Sequence, residues 1–292
     1  MSSAVVGRFA PTPSGPLHFG SVVTAVASFL DARSLGGRWL VRIDDLDPPR
    51  VMAGAEAHIL ATLAALALEW DGVVVRQSAR SEAYRAALAS LIESGAVFAC
   101  RCSRREIGRR SYPGTCRGRA PGTYPTDALR IRVRDETLVF QDRVQGEQRE
   151  NLARTCGDFV VRRADGVHAY HLAVALDDAW QGVTHVTRGA DLLDSTMRQI
   201  HVQAALGLAR PIYAHLPVVL DRRGDKLSKQ TRAPAVSAPA AGHALYHALC
   251  CLDLAPPPAA YGAPPQELLA WALAHWRLET LRQAARYYPY RN

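Results

Sequence analysis

Three prolines and two glycines fall within Arg8-Phe9-Ala10-Pro11-Thr12-Pro13-Ser14-Gly15-Pro16-Leu17-His18-Phe19-Gly20-Ser21, between an apolar run, Ala4-Val5-Val6, and a helical one, Ser21 to Ala27. Regular structure cannot continue through such a segment, so the chain opens as strand, loop and helix. The helix start leaves backbone N–H groups beside His18 and Gly20, which suits an anionic phosphate. Gly20 lets a flat base or ribose approach the backbone, and His18 can donate to a phosphoryl oxygen as charge develops. Taken alone, the loop also fits an ordinary proline-rich connection.

The 292 residues, 48% of them apolar, suffice for one large core or one core with an appendage. The excess of 35 Lys and Arg over 27 Asp and Glu, a net charge of +8, fits a polyanionic partner. Arginine and alanine enrichment also fits genome composition. No apolar run nears the roughly 20 residues of a membrane span, and no basic and apolar leader opens the chain. A soluble cytoplasmic protein with no membrane partner is therefore expected. The six cysteines, Cys100, Cys102, Cys116, Cys156, Cys250 and Cys251, are too unevenly spread for a disulfide framework.

Arg38 to Ile43 reads as a second strand, followed by the acidic turn Asp44-Asp45-Leu46-Asp47-Pro48-Pro49-Arg50. Apolar spacing of three and four predicts helices over Val51 to Glu69 and Ser81 to Glu93. This order implies an α/β fold with a doubly wound parallel sheet, residues 1–95 forming its first half. Residues 96–182 change to Cys, Arg, Gly and Pro, then to short strands at Arg130 to Arg134, Leu138 to Phe140 and Phe159 to Arg163, the last closing at the hairpin signal Ala164-Asp165-Gly166. They read as an inserted, β-rich subdomain. Residues 183–235 read as the second half, with strands at Val183 to Arg188 and Leu216 to Leu220 and a helix from Ser195 to Leu206. Residues 236–292 read as a small helical C-terminal region after a Pro/Ala-rich linker.

The basic loop Asp225-Lys226-Leu227-Ser228-Lys229-Gln230 follows a strand and, if the halves assemble side by side, flanks the same crevice as His18. Lys229 would then stabilise charge on a leaving pyrophosphate. Cys100, Cys102 and Cys116 suit a tetrahedral zinc site, or are buried or free thiols. The arginines at 101, 104, 105, 109 and 110 fit a phosphate backbone or a solvated face. His168, His171, His185, His201 and His215 are expected in hydrogen-bonded structural roles.

Pro16-Leu17-His18-Phe19-Gly20-Ser21 and Lys226-Leu227-Ser228-Lys229-Gln230 resemble the HIGH-type and KMSKS-type motifs of class I aminoacyl-tRNA synthetases. Arg8 to Gly15, Val41 to Arg50 and Thr187 to Leu193 narrow the resemblance to the glutamyl branch. About sixty residues follow the second motif, too few for the large helical anticodon-binding region of ordinary glutamyl-tRNA synthetases. The chain is thus similar to the shortened paralogues, the glutamyl-queuosine tRNA(Asp) synthetases, and Trp271 to Trp276 is similar to that family's ending.

The resemblance implies a Rossmann-type catalytic domain carrying an inserted zinc-containing α+β subdomain. It implies an ATP-dependent ligase that forms glutamyl-adenylate without tRNA and then transfers L-glutamate to queuosine in tRNA(Asp), acting as a monomer. It places glutamate against Arg8, Ala10, Thr12, Asp44, Tyr170 and Arg188, with Thr12 standing for the family's serine and Asp44 for its glutamate. It places ATP and Mg²⁺ by His18, Gly20, Lys226, Ser228 and Lys229, of which His18 and Lys229 are catalytic. It adds Tyr112 to the three cysteines as a zinc ligand, where the thiols alone also admit water or a distant histidine. A truncated enzyme charging a tRNA 3′ end and a silent nucleotide- or RNA-binding paralogue are the alternatives.

Overall fold

A computed structural model of the chain describes residues 4–108, 111–122, 126–220, 240–281 and 286–287, with 104, 219–220 and 286–287 described for the backbone alone. The first half alternates strand and helix: β1 (Val6–Phe9), α1 (Phe19–Ser34), β2 (Arg38–Ile43), α2 (Ala55–Ala65), β3 (Val75–Arg76) and α3 (Ser81–Glu93). The middle segment holds β4 (Val97–Cys100), the single turn α4 (Arg104–Ile107), β5 (Ala128–Ile131), β6 (Leu138–Asp142), β7 (Gly146–Glu150), the single turn α5 (Leu152–Thr155), β8 (Phe159–Arg162) and α6 (Tyr170–Trp180). Then come β9 (His185–Gly189), α7 (Leu193–Ala205), β10 (Ile212–Leu216), β11 (Val219–Leu220), α8 (Ala241–Cys251), α9 (Pro265–His275) and β12 (Arg286–Tyr287).

β1, β2 and β3 pair in parallel, as do β9, β10 and β6, with β7 antiparallel at the edge. The two sheets meet where the Thr184 N–H donates to the Val6 carbonyl and its hydroxyl accepts from the Val6 N–H, both at 2.9 Å. The order is therefore β3-β2-β1-β9-β10-β6-β7. The chain leaves β1 toward one edge and returns through β9 toward the other, a topological switch point of the kind that binds ligands in doubly wound folds.

Alternation along β2 assigns its two faces. Trp39, Val41 and Ile43 join a core with α1, α2, α8 and α9, whereas Leu40 faces a second core with α3, α6 and α7. α1 is apolar nearly all round because both sides are covered, by the sheet and by α8 and α9. A Cβ on Gly7 would lie 2.9 Å from the Ala32 Cβ, so only glycine lets α1 pack this closely on β1. α3 buries Tyr84, Leu88 and Leu91, a stripe at spacings of four and three. Each such side chain contributes about 1.5–3 kcal/mol.

Several expectations shift. The helix expected over 51–69 is confined to Ala55–Ala65: Gly54 at φ +76° opens it and Ala67 at φ +55° follows its end. The strand expected near Leu216 to Leu220 ends at Leu216, and β11 follows separately. Leu138 to Phe140 was expected within the insertion. Instead β6 pairs with β10 at Asp142 and Tyr213, and the insertion's own sheet is β4-β5-β8, antiparallel. The turn at 164–166 is present, but the chain returns with a single bridge, Arg162 to His168.

Candidate active site

The β1 and β9 ends open into a cavity of about 600 Å³ lined by Arg8, Ala10, Thr12, His18 and Gly20 on one side and by Tyr170 and Arg188 on another. Asp44 lines an adjoining cavity of about 800 Å³, which shares Thr12, Arg50, Tyr170 and His171 with the first. Arg8, Ala10, Thr12, Tyr170 and Arg188 thus meet from β1 and the loop after it, α6 and β9, while Asp44, just after β2, lies in the adjoining cavity. Lys226, Ser228 and Lys229 lie outside the described residues.

His18 caps α1. Its Nδ1 accepts the Ser21 N–H at 3.2 Å, and Nε2 lies 3.0 Å from the Ser21 hydroxyl. An accepting Nδ1 places the ring proton on Nε2, the donor that a phosphoryl oxygen requires.

Below the cavity runs a buried ion network that the sequence did not reveal. Arg8 contacts Asp178 through Nε and Nη2 at 3.2 and 3.4 Å, and Arg42 Nη1 reaches the same carboxylate at 2.7 Å. Arg42 Nε holds Asp44 at 2.8 Å. The neighbouring Asp177 accepts from Gln77, Arg80 and Tyr84. Val6, Arg8, Leu40 and Arg42 point to one face by strand alternation, and that face meets α6. Burial alone would raise the Asp178 pKa, but Arg8 and Arg42 outweigh it and draw it below the usual carboxylate range. Burial wins at Asp44, whose carboxyl is pushed up to about 6 despite Arg42. At Arg42 burial opposes the charge, yet Asp44, Asp178 and Asp177 keep its guanidinium well above its ordinary value. The readable signal was two adjacent acids in the otherwise apolar α6: buried carboxylates need cations.

Across the cavity Arg188 is almost wholly buried. Its Nε donates to His215 Nε2 at 3.1 Å, and Nη2 donates to the Thr196 hydroxyl at 2.8 Å and the Gln199 amide oxygen at 2.9 Å. Nη1 is buried without a partner among the described residues. A buried guanidinium edge left unmatched beside a cavity fits an anionic ligand. His171, shared by both cavities, is held neutral: burial, then repulsion from Arg198 and Arg188, lowers its pKa to about 3.

In the insertion, the Sγ atoms of Cys100, Cys102 and Cys116 lie within 4.8 Å of one another. Cys102 and Cys116 are 3.6 Å apart, and the Tyr112 hydroxyl lies 3.5 Å from Cys100 and 3.9 Å from Cys102. Tetrahedral zinc with bonds of about 2.3 Å would set its sulfurs roughly 3.8 Å apart. Arg130 Nε donates to Cys100 Sγ at 3.2 Å, offsetting negative charge there. Burial raises the Cys116 pKa, but hydrogen bonds from the Arg101 backbone and Tyr112 outweigh it and bring it to about 7. The donor set fits a soft, tetrahedral ion.

Residues 4–114 and 122–241 match the family of class I tRNA synthetase (E and Q) catalytic domains. The chain is 52% identical over 278 residues to the glutamyl-Q tRNA(Asp) synthetase of Ectopseudomonas mendocina, covering 94% of each chain. It is 51% identical over 287 residues to that of Thiobacillus denitrificans, covering 96% of this chain and 95% of the relative. The crystal structure of a glutamate tRNA ligase from Elizabethkingia meningosepticum in complex with its amino acid shares the fold, with a TM-score of 0.80 at 22% identity over 98% of this chain and 67% of the other.

Proposed function

The chain belongs to the glutamyl-Q tRNA(Asp) synthetase family of class I tRNA synthetases, and from that premise we propose how its site works. The enzyme activates L-glutamate with ATP, without requiring tRNA, and transfers it to the queuosine base of tRNA(Asp). The observation that carries the chemical reading is that Arg188, whose buried Nη1 is unmatched among the described residues, lines the same cavity as the His18-capped helix entrance. One feature suits a side-chain carboxylate and the other a phosphate.

In this reading Arg188 and Tyr170 hold the glutamate side chain, Arg8, Ala10 and Thr12 shape the pocket, and Asp44 takes the α-ammonium. A substrate carboxylate oxygen attacks the α-phosphorus of ATP, the bond to the β-phosphate oxygen breaks, and pyrophosphate leaves. His18 Nε2–H donates to the phosphoryl oxygen that gains charge, and Gly20 admits the nucleotide. Lys226, Ser228 and Lys229 act on the leaving pyrophosphate, and Mg²⁺ accompanies ATP. In the second step a hydroxyl of the queuosine ring attacks the adenylate carbonyl and AMP leaves. Cys100, Cys102, Cys116 and Tyr112 hold zinc structurally, clamping the loop between β4 and β5. The enzyme acts as a cytoplasmic monomer. Among the described residues no helix is long and apolar enough to cross a membrane.

Pyrophosphate exchange with glutamate and ATP in the absence of RNA tests activation, and a blank result would favour a silent nucleotide- or RNA-binding paralogue. Labelled glutamate should join tRNA(Asp) only when queuosine is present. Labelling of tRNA(Glu) at its 3′ end would instead indicate a charging enzyme.

A further inference from the structure

We propose that Asp142 and His215 are positioning residues that lock the donor face of Arg188 and so set the preference of the cavity for a carboxylate ligand. This rests on the reading of Arg188 as the ligand for the glutamate side chain. Asp142 ends β6 and His215 lies in β10, so neither follows from the β9 motif that contains Arg188.

Hydrogen-bond accounting fixes the ring proton of His215. Asp142 Oδ1 accepts the backbone N–H groups of His215, Val144 and Gln145 at 3.1, 2.9 and 2.8 Å. Its Oδ2 lies 2.6 Å from His215 Nδ1. A carboxylate here only accepts, so the imidazole proton sits on Nδ1 and the Nε2 lone pair faces Arg188 Nε–H. Burial, the first influence, lowers the His215 pKa and keeps the ring neutral, in accord with this tautomer. The Thr196 hydroxyl accepts from Arg188 Nη2 and lies 3.0 Å from His215 Nε2 and 3.3 Å from the Leu192 carbonyl, so the unprotonated Nε2 faces two donors, the Arg188 Nε–H at 3.1 Å and this hydroxyl. Gln199 takes the second Nη2 proton.

Three of the five guanidinium protons are thereby committed, and the two on Nη1 remain. The planar fork cannot turn without breaking those bonds. A ligand carboxylate offers acceptor lone pairs on both oxygens to Nη1, whereas a carboxamide offers one oxygen and an NH₂ that meets the guanidinium as donor against donor.

Asp142→Asn inverts the logic while nearly preserving shape. Its amide oxygen keeps the backbone N–H bonds, its NH₂ faces Nδ1, and His215 must carry its proton on Nε2, opposing Arg188 Nε–H. In pyrophosphate exchange with the full chain, the KM for glutamate should rise about tenfold or more, the loss of one hydrogen bond to a charged group, while the KM for ATP stays put. Nitrogen-15 spectra should show the Nδ1–H tautomer of His215 in the wild type. His215→Gln can donate to Asp142 and accept from Arg188, so it should hold the glutamate KM well below that of His215→Leu. An Nε2–H tautomer in the wild type, or equal glutamate KM in the Gln and Leu variants, overturns the proposal. Arg188→Gln separates the two readings: a raised glutamate KM there with an unchanged one in Asp142→Asn removes only the relay, and unchanged values in both remove the role of Arg188 itself.

Discussion

Arg8 and Asp178 face each other across the buried side of the central sheet, 170 positions apart in sequence, with side-chain contacts of 3.2 and 3.4 Å. The pair couples β1, from which the cavity loop departs, to α6, whose first residue is Tyr170. Asp178→Asn would leave Arg8 and Arg42 sharing an uncompensated buried charge. Breaking such a pair costs about 3–5 kcal/mol, so a clear loss of stability in urea is expected, together with a higher glutamate KM. A variant as stable as the wild type would show the network to be dispensable for folding.

His18 combines two tasks that substitution can separate. Asn keeps a cap for the α1 N–H groups but offers no imidazole N–H, whereas Ala loses both. Removing the cap should cost about 0.5–2 kcal/mol in His18→Ala and little in His18→Asn. Both should lower the rate of adenylate formation by about 10²–10³, as loss of one transition-state donor does. Near wild-type turnover in His18→Asn would confine His18 to capping.

The acid limb of glutamate binding should belong to Asp44. Its carboxyl, pushed up to about 6 by burial, is neutral below that pH and ionised above it. An ionised partner favours the α-ammonium, so affinity should rise as pH rises through about 6. Asp44→Asn should bind weakly at all pH values and lose this limb. Persistence of the limb in that variant would assign it to another group. Asp44→Glu, which restores one methylene of reach, should keep or improve affinity.

Metal removal should act on the insertion first. Purified protein is expected to carry about one zinc per chain, as a single tetrahedral site holds one ion. Chelation or Cys102→Ser should release it and lower the melting temperature, with glutamate activation less affected than transfer to tRNA. Equal metal content in wild type and Cys102→Ser would remove zinc from this cluster.

Gly7 gives a purely steric test. Gly7→Ala would force its new methyl group to within 2.9 Å of the Ala32 Cβ, and overpacking of this kind costs about 1–3 kcal/mol. A shift in denaturant midpoint with unchanged slope is the expected result.

The parallel sheet was legible because Ala4-Val5-Val6 and Trp39-Leu40-Val41 are apolar runs and Val183, Thr184, Val186 and Thr187 are β-branched, and α3 because Tyr84, Leu88 and Leu91 repeat at helical spacing. β7 was not, since Gly146-Glu147-Gln148-Arg149-Glu150 has no apolar face and is held by backbone pairing with β6. α6 was not, because Asp177 and Asp178 interrupt its apolar pattern for reasons that lie on other elements. The same holds at the site. Motifs brought forward Arg8, His18 and Arg188, while Asp178, Asp142 and His215 depend on tertiary partners that no local pattern encodes. That Arg8, Thr12, Tyr170 and Arg188 line one cavity and Asp44 the adjoining one is visible only in the folded chain.

The seam between Val6 and Thr184 explains where the room for ligand comes from. A continuous ladder would hold β1 and β9 at about 4.8 Å along their length and leave no void between them. Here the bonding between them falls at Val6 and Thr184, ahead of the cavity-lining Arg8, Thr187 and Arg188. The two halves of the sheet are thus pinned together at one end by a threonine that lines neither cavity.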